Sequence, residues 1–112
     1  MVKMADREMK RGTMELVLLK LISERPMYGY ELIISLEQRG GDAFKLKEGT
    51  LYPVLYRLES DGLVETYWEM VERGVPRKYY RLTEAGAMRL KEWVADWLAF
   101  SSSVNRILET EE

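Results

Sequence analysis

Cysteine and histidine are both missing from the 112 residues. With them go thiolate and imidazole metal sites, disulfide frameworks, and any Ser-His or Cys-His nucleophilic pair. Proline is scarce at 3 residues and glycine numbers 8, too few for a collagen-like or low-complexity chain. No apolar run comes near the roughly 18 residues of a membrane span; Leu16 to Leu19, as long as any, is broken by Lys20. The polar opening Met1-Val2-Lys3-Met4-Ala5-Asp6 has no apolar stretch of the signal-peptide kind, so a cytoplasmic location and no membrane partner are expected. An excess of basic charge is also lacking. The net charge of −2 and a pI near 5.4 run against the electrostatic footprint of a nucleic-acid binder.

What is present describes a folded module. Hydrophobic residues make up 46% and charged ones 32% of the chain, and a chain of this length forms one domain that buries roughly two-thirds of its unfolded surface. Charge is unevenly spread: residues 1–83 carry 14 Lys and Arg against 13 Asp and Glu, whereas residues 84–112 carry 3 against 6. The basic residues fall in short groups, Lys10-Arg11, Lys45 with Lys47, and Arg73, Arg77, Lys78 and Arg81, which a fold can gather on one face.

From Thr13 to Glu24, Met14, Val17, Leu18, Leu21 and Ile22 recur at the spacing of one helical face, and Arg25-Pro26-Met27 stops the helix. A second helix is predicted from about Tyr28 to Gln38, with Gly29, Leu32, Ile33 and Leu36 inward and Gly40-Gly41 closing it. A third, starting near Glu48, buries Leu51, Val54, Leu55 and Leu58 and ends at Asp61-Gly62, with distortion expected around Pro53. The period then changes. Leu63 to Met70 and Pro76 to Leu82 alternate and are rich in Val, Thr, Tyr and Trp, which predicts a β-hairpin. Thr83 offers an N-cap to a final helix running to about Leu108. In that helix Leu90, Trp93, Trp97, Phe100, Val104 and Ile107 step by three and four, an a/d seam that predicts a homodimer.

Three helices followed by a hairpin are the order of a winged helix-turn-helix, a mainly α (α+β) fold. The expected division is a winged-helix DNA-binding domain over 1–83 and a C-terminal dimerisation helix over 84–112. In such a module the third helix enters the DNA major groove. The stripe opposite its core residues presents Gly49, Tyr52, Pro53, Tyr56, Arg57 and Ser60, with Thr50 at the edge. Arg57 suits a guanine edge or a phosphate, and Thr50 and the tyrosine hydroxyls suit phosphate or base. Arg73, Arg77 and Lys78, at or next to the hairpin turn, suit the backbone or minor groove.

Each feature has a plainer reading. A Tyr and Arg stripe also serves as a solvated face, and basic residues at a hairpin protect an edge. Trp68, Tyr79 and Tyr80 suit strand packing, Trp93 and Trp97 a dimer core, and Glu65, Glu69 and Glu72 ordinary strand and turn charges. The rival function is a winged-helix protein-interaction module, favoured by the acidic pI. No spacing sets up an acid, a base and a cleft, so no enzyme, metal or cofactor is expected.

Four blocks carry a family resemblance. Glu24-Arg25-Pro26-Met27-Tyr28-Gly29-Tyr30-Glu31-Leu32 resembles the opening signature of the PadR family of bacterial transcriptional regulators. Gly49-Thr50-Leu51-Tyr52-Pro53 with Arg57-Leu58-Glu59, Asp61-Gly62-Leu63-Val64, and Arg77-Lys78-Tyr79-Tyr80-Arg81-Leu82-Thr83-Glu84-Ala85-Gly86 follow in family order. The length resembles that of the small subfamily with one C-terminal helix. The chain departs from the pattern at Lys47, where a capping serine is frequent, and at Met27, where a histidine is frequent.

The resemblance implies a homodimeric repressor of a palindromic operator, whose C-terminal helix crosses to the partner. It implies DNA contact by Thr50, Tyr52, Tyr56 and Arg57 on the recognition helix, by Arg77 and Lys78 on the wing, and by Tyr28 and Tyr30 at the second helix. It further implies a flat aromatic or phenolic ligand between protomers, with Trp97 at that site. Trp93 and Phe100, a turn away on either side, are candidates for the same site or for the dimer contact, and a carboxylate such as Asp96 or Glu92 would favour a cationic ligand.

Overall fold

The first helix begins well before its apolar stripe: α1 spans Val2–Glu24, because residues 2–12 hold good helix formers and no proline. The structure, a computed structural model, describes the backbone of residues 2–109 and the side chains of residues 12–71 and 73–109. Pro26 ends α1, and the next two residues form a short strand, β1 (Met27–Tyr28). This strand is too short for sequence periodicity to show. Helix α2 covers Gly29–Gly40 and is followed by a 3-10 turn, Gly41–Phe44. At its start the Tyr28 amide donates to the Glu31 carboxylate at 3.2 Å, which satisfies one of the unpaired amides of a helix N-terminus.

Helix α3 (Glu48–Ser60) contains Pro53, whose missing amide removes one rung of the ladder. The first turn tightens, with the amides of Thr50 and Leu51 both donating to the Lys47 carbonyl at 3.0 and 3.2 Å. Lys47 gives no side-chain cap. The helix stops at Gly62, whose φ of 77° lies in the left-handed region, and the Leu63 amide returns to the Leu58 carbonyl at 2.9 Å.

Strands β2 (Val64–Met70) and β3 (Pro76–Leu82) form the wing, joined by a 3-10 turn over Glu72–Gly74. The sheet order is β1-β3-β2, all antiparallel, with Met27 opposite Tyr80, and Val64 opposite Leu82 through to Met70 opposite Pro76. Helix α4 (Glu84–Leu108) is 25 residues long, about 37 Å. Thr83 locks it to the domain: its hydroxyl accepts from the Gly86 amide at 3.0 Å and donates to the Gly62 carbonyl at 2.7 Å. Gly86 lies against the Leu63 carbonyl, where a β-carbon has no room.

The core is the sum of the periodic stripes. Leu18, Leu19, Leu32, Leu51, Leu55, Leu58, Leu63 and Val64 are almost fully buried. Leu90 and Trp93 of α4 pack on this core from outside. That corrects one expectation: the first turns of the α4 seam are covered by the same chain. Trp97, Leu98, Phe100, Ile107 and Leu108 remain exposed. Among the described residues no helix is long and apolar enough to cross a membrane.

Candidate nucleic-acid interface and effector cleft

Helix α3 buries Leu51, Val54, Leu55 and Leu58, and its opposite stripe, Gly49, Thr50, Pro53, Tyr56 and Ser60, faces solvent. Tyr56 is the most prominent side chain there, 71% exposed. Tyr52 and Arg57 occupy the two flanks of that stripe, each partly exposed and each also held on one side by a neighbouring element. The Tyr52 ring leans back onto the start of α2, its hydroxyl against Gly29, and burial pushes its pKa up, with Glu48 adding to the effect. Arg57 turns toward α1, where its Nε donates to the Glu15 carboxylate at 3.2 Å. The physical reason is position: one flank of α3 faces α1 and the other faces the start of α2.

Lys45 and Lys47 lie exposed just before α3. Tyr30 is exposed in the first turn of α2. Tyr28 is half-buried, and the Arg77 guanidinium sits 4.4 Å above its ring. Tyr28 in turn meets Tyr79 edge-on at 5.4 Å, and Tyr79 stacks on Tyr67 at 5.5 Å. The three wing cations do not form one cluster. Strand alternation puts Arg77 on the tyrosine face and Lys78 on the face toward α3, where it lies 3.9 Å from Glu59. Arg73 stands exposed at the tip, with a φ of 76°.

Trp68, opposite Lys78, is exposed, so it does not serve strand packing as expected; Tyr80, on the same face of the sheet nearer the core, is buried. Burial, then the charges of Tyr52 and Glu59, push the Tyr80 phenol up to about 12.

A concavity of about 500 Å³ opens between α1 and α4. Trp93, Asp96, Trp97 and Phe100 come together there, one helical turn apart on α4. Their opposite wall is Gly12, Thr13, Glu15 and Leu16 of α1. Sequence reasoning missed that wall, because Glu15 lies beside the buried α1 stripe and is indistinguishable from a solvated charge. Among the described residues no group of acids is placed to hold a metal ion.

The chain thus combines a three-helix core, a wing and a long capped C-terminal helix. The model of the PadR-like transcriptional regulator family matches residues 18–92, two-thirds of the chain. The chain belongs to that family. PadR-like regulators of known structure superpose closely: one from Bacillus cereus has a TM-score of 0.82 at 34% identity, covering 93% of this chain and 99% of that one. Another, from Eggerthella lenta, has a TM-score of 0.80 at 38% identity, covering 98% and 94%. A transcriptional regulator of Mycobacterium tuberculosis is 36% identical over 86 residues, 77% of each chain. The fold is therefore the winged helix of PadR-like regulators, and the family is one of transcription factors and not of enzymes.

Proposed function

We propose that this PadR-like chain is a cytoplasmic, homodimeric repressor that binds a palindromic operator and is released by a flat aromatic ligand. The observation that carries the DNA reading is α3, a helix covered on one side by the core and open on the other along Gly49, Thr50, Pro53, Tyr56 and Ser60. Arg57 reads a base from one flank, while Tyr28, Tyr30, Tyr52 and the wing residues Arg73, Arg77 and Lys78 hold phosphate or minor groove. Residues 1–83 form the DNA-binding unit and residues 84–112 pair with a second copy. The exposed apolar residues of α4 support that pairing. Two recognition helices then meet half-sites roughly 34 Å apart.

The ligand lies in the α1–α4 cleft. Two indoles and a phenyl ring offer planar polarisable faces, and the carboxylate of Asp96 favours a cationic aromatic over a phenolic acid. Release requires the ligand to bind the DNA-competent and DNA-incompetent states with different affinity.

A mobility shift of the protein on the DNA upstream of its own gene, run at several salt concentrations with a panel of flat aromatic cations and phenolic acids, tests both parts. Specific binding abolished by one compound is the expected result. Specific binding that no compound alters removes the ligand reading. A shift without sequence preference removes the operator reading and favours a protein-interaction module.

A further inference from the structure

Arg57 on the DNA-facing helix is held by Glu15 of α1 through a single nitrogen, Nε, at 3.2 Å. That contact leaves the two Nη groups outside it, and these are the pair of donors that approach guanine O6 and N7 end-on. We infer that Glu15 is a positioning residue for base reading, which fixes the Arg57 guanidinium so that its Nη edge meets a guanine. The inference rests on the proposed operator reading.

Three physical arguments favour a role in recognition over one in stability. The pair is only half-sheltered, with side-chain exposures of 43% for Arg57 and 22% for Glu15, and such ion pairs contribute little to folding. A carboxylate beside a DNA-reading helix also repels phosphate, a cost for any duplex regardless of sequence. A long arginine side chain loses rotamer freedom on binding, and an anchor at Nε removes part of that loss before DNA arrives. Glu15 thus weakens binding held by phosphate alone and favours binding held by a correctly placed guanine.

The test is a base-substitution scan of the operator, measured by fluorescence anisotropy with wild type, Arg57→Ala and Glu15→Gln. Arg57→Ala locates the guanine positions at which preference disappears. Glu15→Gln, which keeps the size and removes the charge, is expected to lower preference at those same positions about tenfold. Its affinity for an unrelated duplex should be unchanged or higher. Thermal melting checks that the variant folds; if it does not, Glu15→Asp, which keeps the charge and draws it back by one methylene, is expected to give the same positional pattern.

Full preference retained in the Glu15 variant overturns the inference while leaving the operator reading intact. So does a loss spread evenly over all positions, or an Arg57→Ala scan that erases preference nowhere. A wild-type protein that does not distinguish its own upstream DNA from an unrelated duplex overturns the operator reading, and the inference with it.

Discussion

The hydroxyl of Tyr52 rests against the α-carbon of Gly29, so that a β-carbon at position 29 would overlap the tyrosine ring. The contact joins the start of α2 to the middle of α3 and fixes their relative placement. Gly29→Ala is therefore expected to lose about 1–3 kcal/mol, despite alanine's better helix propensity, because the ring has to move. Chemical denaturation checks this. Combining it with Tyr52→Ala should cost less than the sum of the two single changes. A Gly29→Ala protein as stable as wild type would show that the ring swings away freely.

Why the sequence predicts some of this and not the rest follows from what periodicity reports. The stripes Leu51, Val54, Leu55, Leu58 and Leu18, Leu21, Ile22 signal burial against a core, and they are buried. Thr83 signals a helix start, and its hydroxyl caps the Gly86 amide. Tyr52 and Arg57 occupy the flanks of a stripe, where the neighbouring element decides orientation, and no local pattern identifies α1 or α2 as that neighbour. Strand β1 is two residues long and exists because β3 pairs with it. Leu90 and Trp93 share one heptad pattern with Ile107, yet the core covers the first two and leaves the third exposed. The α1 wall of the cleft is a tertiary product that no single helix pattern signals.

The wing tip exchanges backbone comfort for charge. Arg73 has φ 76° and ψ 10°, a conformation that disfavours residues with a β-carbon by about 1 kcal/mol. Arg73→Gly is expected to raise stability by up to about 1 kcal/mol. On the operator it should weaken binding and reduce the slope of log affinity against log salt by about one. Melting curves with a salt titration measure both quantities on one protein. An unchanged slope would remove Arg73 from the phosphate contacts.

Tyr80 links pH to folding. Its folded pKa of about 12 lies above the ordinary phenol value of about 10. Between those values the unfolded chain releases a proton that the folded chain keeps. Stability is whole below pH 10 and falls as pH rises to 12, by roughly 2 kcal/mol from this group. Tyr80→Phe should flatten that part of the pH dependence. Urea midpoints at pH 9, 10, 11 and 12 for both proteins separate Tyr80 from the other alkaline groups, which titrate in each.

Trp97 lies in the cleft and is 39% exposed, whereas Trp93 beside it packs on the core. Trp97→Ala is expected to weaken a flat aromatic cation at least about tenfold by removing one stacking face. Asp96→Asn should weaken the cation more than a neutral ligand of the same shape. Equilibrium dialysis gives both affinities without relying on the protein's own fluorescence. Equal losses for the two ligands with Asp96→Asn would show that charge has no part in selection.

The distal half of α4 carries the oligomer prediction. Phe100 and Ile107 lie on the same seam, 64% and 72% exposed on a single chain, so the seam offers apolar surface to a second copy. Replacing both by Glu puts two negative charges on the seam, and because a symmetric pairing presents the same patch twice, four meet across it. Sedimentation velocity should show wild type as a dimer and the double variant as a monomer. Operator affinity should fall by a factor of about 100 or more, because two half-sites no longer share one bound particle, while helix content stays near wild type, since neither side chain reaches the core. A double variant that still sediments as a dimer would place the interface on another surface of the chain.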